Sequence, residues 1–226
     1  MTDSQPTLNS FSTSIWTIDH PLSVAGARMD TRCTIVRLPS EALVLISPIP
    51  FSDALAEAID ALGEVSTIIA PNLFHHFYFD AALQRWPDAM GMTPPYFTAK
   101  VDVHREVTDM GHRGSIEEAL FWRRIEGMPS VRESAFVFPQ EQTLILTDLL
   151  FHFRDHPQWW LRQFMRLNGA YGRLATSRLF RTQIKDKQAF KDSVDDLFDH
   201  DWDRLIVAHG HCIDEGARSL CKEALK

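Results

Sequence analysis

Residues 68–80 read IIAPNLFHHFYFD: an apolar run, a Pro–Asn turn, then two adjacent histidines, His75 and His76. The run belongs to EVSTIIA (64–70), which is apolar enough for a buried strand. On a strand, adjacent side chains point to opposite faces, and on a helix they lie about 100° apart. Both imidazoles therefore reach one point only from an irregular turn or a first helical turn, which Pro71 and Asn72 make available.

Working outward, the segment before this strand, FSDALAEAIDALG (51–63), carries Leu55, Ile59 and Leu62 at helical spacing. Ser52 is placed to cap it and Gly63 to stop it. The segment after the histidines, YFDAALQRWP (78–87), reads as a helix ended by Pro87. Upstream, SIWTID (14–19), RCTIVRL (32–38) and ALVLIS (42–47) read as strands, with HPLSVAGARMDT (20–31) as a turn or hairpin loop. Downstream, residues 91–115 are rich in turn formers and give no clear element. SIEEALFWRRI (115–125) reads as helical. SAFVFPQEQTLILTDLLF (134–151) reads as two strands joined at PQEQ. Residues from Arg154 to about Lys191 are basic and helical, RLIVA (204–208) is a strand, and DEGARSLCKEALK (214–226) is a helical tail. Strands alternating with helices in this order imply helices layered on sheet.

Composition narrows the function classes. The 226 residues are 45% hydrophobic and 11% aromatic, which suits one domain, residues 1–226, with residues 1–13 a flexible polar tail. Lys and Arg number 23 against 30 Asp and Glu, a formal net charge of −7, so no nucleic-acid partner is expected. No apolar stretch is long enough for a bilayer and the N-terminus lacks a signal core, so the expected setting is the cytoplasm, without membrane. Three cysteines at irregular spacing make no disulfide framework, and Cys33 within a strand reads as a buried thiol.

Three apolar runs end in a residue able to bind metal: STIIA leads to the histidine pair, TLILT to Asp148 and RLIVA to His209. Imidazole and carboxylate are the usual non-thiol ligands of zinc and other first-row metals. Ligands sit at the carboxyl ends of strands in open sheets, so His75, His76, Asp148 and His209 form a candidate metal set. The structural alternative is a capping histidine, a turn aspartate and a buried histidine satisfied by backbone. Asn72, Glu133, His152 and His211 are candidates for the pocket around this set, and His20 is a weaker one. Arg162, Arg166, Arg178 and Arg181 either clamp an anionic substrate or form the solvated face of helices, the more common outcome. Trp159 and Trp160 at the start of that region suit a core or an interface better than a substrate platform.

From SIWTID to AHGH the order of elements resembles the metallo-β-lactamase fold. The chain is also similar to uncharacterised bacterial proteins grouped as a domain of unknown function within that fold. The resemblance implies an α+β architecture, a four-layer αβ/βα sandwich, with a helical insertion near residues 154–198. The family carries Thr-His-x-His-x-Asp-His after a strand, and APNLFHH stands there in this chain. Pro71 and Leu73 occupy the places of the first two histidines, His75 that of the aspartate and His76 that of the last histidine. Asp148 matches the bridging aspartate, and His209, before Gly210, matches the final histidine. The family's middle histidine is missing from EGMPSVRES (126–134), where Glu133 is the ligand-type residue next to the SAFVF strand. The resemblance thus implies a degenerate, mononuclear site with one divalent ion, zinc or alternatively iron. It implies hydrolysis of a small-molecule substrate, with Asp148 as catalytic residue. The alternative is a non-catalytic binding or assembly module that has lost the metal.

Overall fold

A computed structural model describes residues 6–24 and 27–225. The first half forms a seven-stranded sheet in chain order: β1 (Leu8–Ser10), β2 (Ile15–Val24), β3 (Ala27–Arg37), β4 (Leu43–Ile46), β5 (Val65–Ile69), β6 (Met90–Thr93) and β7 (Thr108–Asp109). Helices α1 (Asp53–Asp60) and α2 (Phe79–Arg85) are the crossovers that let β4, β5 and β6 run parallel. A second sheet orders β12 (Arg204–Val207), β11 (Thr143–Leu146), β10 (Ser134–Phe138), β9 (Leu120–Arg124) and β8 (Arg113–Ile116). In it β11 and β12 run parallel. Between them lie α3 (Trp159–Leu167), α4 (Arg178–Arg181) and α5 (Lys187–Asp195), and α6 (Ala217–Ala224) follows β12.

Strand alternation builds the layers. Val44 and Ile46 of β4 and Ile69 of β5 face Phe136, Phe138, Ile145 and Ile206 of the other sheet, making the central core. The opposite faces, with Leu43, Leu45 and Ile68, pack on Leu55 and Ile59 of α1 and on Phe79 and Leu83 of α2. Beneath the second sheet, Leu144, Leu146, Leu205 and Val207 pack on Trp202, Val194 of α5 and Cys221 of α6. Helix, sheet, sheet, helix is the four-layer order that the family resemblance implies, and α3–α5 fill the helical insertion it implies. Cys33 is buried in the first of these outer cores.

Local signals account for most elements. Ser52 caps α1 by accepting from Leu55 N at 3.3 Å, and Asp186 caps α5 by accepting from Gln188 N and Ala189 N, both at 3.0 Å. Two segments differ from expectation. HPLSVAGARMDT is mostly strand: β2 and β3 pair from Ile15↔Val36 to Val24↔Ala27, while residues 25–26 lie outside the described residues. SIEEALFWRRI is a hairpin, not a helix. Glu117 and Glu118, at φ 53° and 51°, form its turn. Ile116 and Leu120 have helical spacing, but they pair directly across the two strands and pack against the central core. That burial, together with pairing of β9 to β10, overrides local preference. Of the N-terminal stretch 1–13, residues 1–5 lie outside the described residues and Leu8–Ser10 pair with β2. Among the described residues, no helix is long and apolar enough to cross a membrane.

Candidate metal centre

The parallel pairs β4–β5 and β11–β12 end at the same rim of the sandwich, with Ile46 opposite Ile69 and Leu146 opposite Val207. Each strand there passes into a polar residue: Ser47 after β4, Asn72 and His75 after β5, Thr147 and Asp148 after β11, His209 after β12.

The loop after β5 is shaped by Asn72. Its side-chain oxygen accepts from Phe74 N at 2.7 Å and His75 N at 2.8 Å, turning the chain back on itself. This sends the two histidines apart. His75 points inward. His76 points away, with Nδ1 donating to Leu73 O at 3.0 Å and its ring stacked on Phe77. Its neighbours are Phe77 and Phe97 rather than the other candidate ligands.

His75, Asp148 and His209 form one group, whose potential ligand atoms all lie within 4.8 Å of one another. His75 Nε2 stands 3.4 Å from Asp148 Oδ2, and His209 Nε2 stands 3.2 Å from Asp148 Oδ1. The other nitrogen of each ring is committed. His75 Nδ1 shares a 2.6 Å hydrogen bond with the Ser47 hydroxyl. His209 Nδ1 lies 2.7 Å from the Asp30 carbonyl oxygen, which can only accept, so that nitrogen carries a hydrogen. A neutral His209 therefore turns a bare lone pair toward the Asp148 carboxylate. Two acceptors at that distance repel unless a proton or a cation sits with them.

With both imidazoles protonated the same contacts become charge-assisted hydrogen bonds. Burial opposes ionisation of Asp148, but the charge of His75 and hydrogen bonds from His209 and His75 hold its carboxyl far below the usual range. Burial also disfavours a charged His75, yet Asp148, by charge and hydrogen bond, and Glu133, by charge, raise its pKa.

A second polar cluster adjoins the first. Glu133, fully buried just before β10, accepts at Oε1 from Thr147 N and the Thr147 hydroxyl, both at 2.8 Å, and from Asp148 N at 3.0 Å. Asn72 Nδ2 donates to Glu133 Oε2 at 2.6 Å, to Asp148 Oδ2 at 2.8 Å and to the Thr147 hydroxyl at 3.1 Å. Burial and then the Asp148 charge push the Glu133 carboxyl up to about 7, against the hydrogen bonds from Asn72 and Thr147. Glu133 thus secures the turn that carries Asp148.

His152 and His211 sit behind His209. His152 is buried; its Nδ1 donates to His211 O at 2.8 Å and its Nε2 accepts from Arg154 Nε at 3.1 Å. Burial, helped by the nearby Arg154 charge, lowers its pKa although the His211 carbonyl opposes this. His211 pairs with Asp155 at 2.8 Å. Gly210, at φ +97°, lets the chain past His209 approach the backbone of His152: a Cβ there would stand 2.3 Å from His152 O. The Phe151 ring stacks on His209 with centroids 5.5 Å apart. His20 meets Tyr78 edge-on. The arginines lie on the insertion, where Arg162 donates to His156 O, Arg178 to Leu167 O and Arg181 to Ala224 O, while Arg166 covers Tyr171. Trp159 and Trp160 stand exposed on α3.

Sequence reasoning missed Ser47 and Asp30. Ser47 ends an apolar strand with φ 60°, a left-handed conformation that an L residue adopts only where its surroundings require it. Asp30 contributes through its backbone carbonyl, which leaves no trace in residue type.

The donor set fits a metal ion. Imidazole nitrogen and carboxylate oxygen are the usual non-thiol ligands of zinc and iron, and one such atom from each of the three residues lies within 4.8 Å of the others. Hydrogen bonds from Nδ1 to neighbouring oxygens are what orient metal-binding imidazoles.

Comparison with known proteins defines the class. The metallo-β-lactamase from Pontibacter korlensis superposes with a TM-score of 0.65 at 16% identity, covering 98% of this chain and 97% of that one. The FIM-1 metallo-β-lactamase from Pseudomonas aeruginosa, in its mono-zinc form, gives 0.61 at 13% identity, covering 99% and 97%. The metal-soaked Flv1 flavodiiron core from Synechocystis gives 0.64 at 11% identity, covering 97% of this chain and 60% of that one. The chain has the metallo-β-lactamase fold; at such identities the likeness speaks for the fold and not for the reaction. Residues 12–108 match a family described as domain of unknown function DUF4336, a stretch that includes His75 and stops before Asp148 and His209. No curated protein matches the sequence.

Proposed function

We propose that the protein is a metal-dependent hydrolase in which His75, Asp148 and His209 hold a single divalent ion, zinc or alternatively iron. The observation that carries this reading is the committed Nδ1 of His209, which leaves Nε2 facing a carboxylate with nothing of the protein's own to separate them. A bound ion supplies Lewis acidity toward the carbonyl or phosphoryl group of a small-molecule ester, thioester, amide or phosphoester, anionic substrates included. Ser47 and the Asp30 carbonyl fix the ring orientations. Asp148, kept ionised by its neighbours, is a weak base and a strong hydrogen-bond acceptor, so its part is to hold and orient rather than to take a proton. Phe151 closes one side of His209 against water.

The test is metal content of purified protein, by mass spectrometry, in single alanine variants. His75→Ala and His209→Ala should each lower bound metal at least about tenfold, since losing even a residue that only orients a ligand typically costs about 10–100-fold. His76→Ala should leave it unchanged. Equal metal content in all three, or loss only with His76→Ala, would sink the assignment. A second reading has its own support: two protonated imidazoles on Asp148 make a closed ion-paired triad, and the raised pKa of His75 favours it. In that reading the fold serves as a binding or assembly module, and the wild-type protein carries no metal.

A further inference from the structure

A concavity of about 1050 Å³ lies under the second sheet's helices, and none of the triad residues lines it. Its walls are Ile184 after α4, Phe190 and Val194 of α5, Phe198 and Leu225. Val194 is buried; the other four are packed against the core yet remain half-exposed around the hollow. Small-molecule sites are typically about 300–1,000 Å³, mostly apolar, with a few placed polar groups.

The polar groups are mainly of one sign. Arg181, Lys187, Lys191 and Lys222 line the hollow against one acid, Asp195, a local balance of 4 − 1 = +3. The whole chain stands at −7, so the excess of positive charge here runs against the overall balance. Lys191 is neutralised by Asp195 at 2.6 Å, and Arg181 donates to Ala224 O at 2.9 Å. Lys222 rests over the Phe198 ring, and Lys187 is exposed. Thr176 also lines the hollow, and its buried hydroxyl has no hydrogen-bond partner.

We infer that this cavity binds an amphipathic organic anion: a long apolar body against Phe190, Val194 and Phe198, and a carboxylate or phosphate head between Lys187 and Lys222. Half-exposed apolar walls gain by being covered, and a charged rim selects an anionic head over a neutral one. The inference is independent of the metal centre.

Calorimetric titration of the full-length protein with dodecanoate, dodecyl phosphate and 1-dodecanol, below micellar concentrations, tests it. The two anions should bind at one equivalent, and the alcohol at least about tenfold more weakly. Lys187→Glu combined with Lys222→Glu, at exposed positions, should cut anion affinity by about tenfold or more, and Val194→Trp should remove it by filling the hollow. The charge-reversed pair decides the matter should Val194→Trp fail to fold. His209→Ala should bind dodecanoate as the wild type does, which separates this cavity from the metal centre. Absence of anion binding, equal affinity for the alcohol, or anion binding indifferent to charge reversal would each overturn the inference.

Discussion

Two polar clusters share the rim of the sandwich, and they differ in how their lone pairs are met. Around Glu133 acceptors meet donors: Thr147 N, Asp148 N, the Thr147 hydroxyl and the Asn72 amide surround its carboxylate. Around Asp148, His209 Nε2 faces a carboxylate oxygen with its outer nitrogen already donating to the Asp30 carbonyl, whereas His75 can donate from Nε2 when the Ser47 hydroxyl donates to its Nδ1. The first is closed by the protein alone. The second is closed only by added protons or an added cation. Two regions built from similar residues thus have opposite needs, and the hydrogen-bond pattern, more than residue identity, tells them apart.

The contrast is broken most severely at Glu133. Glu133→Ala removes the buried acceptor of Thr147 N, Asp148 N, Leu149 N and the Thr147 hydroxyl and one acceptor of the Asn72 amide, and should cost about 3–5 kcal/mol in urea denaturation. Glu133→Gln keeps one acceptor oxygen but points an amide NH2 at the Asn72 amide, whose orientation Phe74 N and His75 N fix. It should cost about 1–3 kcal/mol. A Gln variant as stable as wild type would mean that the carboxyl is protonated in the native protein.

The pH dependence sharpens the same comparison. In metal-free protein His75 is raised above its ordinary 6.5, so its contribution is complete below that value and is lost as pH rises through the folded pKa. Glu133, raised from 4.5 to about 7, binds its proton more tightly when folded, so stability also falls as pH rises across that interval. Asp148 is lowered; its contribution is present above the ordinary carboxylate value and is lost only at strongly acid pH. Melting temperature in chelator should therefore fall as pH rises from about 4.5 through 7. With one equivalent of zinc the trend should reverse, because ligands must shed protons to bind metal. Parallel curves with and without zinc would refute metal binding at the triad.

The smallest effect is expected at His76. Its ring bonds to Leu73 O and stacks on exposed Phe77, so His76→Ala should cost less than about 1 kcal/mol by thermal melt.

The layered fold was legible because β4, β5, β11 and β12 are short apolar runs bounded by turn residues, with helical spacing in between. The hairpin 113–124 was not, since Ile116 and Leu120 recur at a helical interval and a distant strand pair decides their state. At the rim, the apolar runs end visibly at the His75–His76 pair, Asp148 and His209. Which of two neighbouring histidines turns inward was beyond sequence periodicity. A side-chain cap from Asn72 decides it, and such caps depend on loop dihedrals. Glu133 stood out as the ligand-type residue immediately before β10. Its task of fastening Thr147 and Asp148 needs the spatial approach of β10 and β11, which spacing along the chain does not disclose.

Phe151 exchanges two main-chain hydrogen bonds with Ala175, at 2.9 and 3.0 Å, while its ring lies flat on His209. The helical insertion is therefore riveted beside the imidazole. It walls that flank of the triad, so a visitor would have to reach the imidazole from another direction.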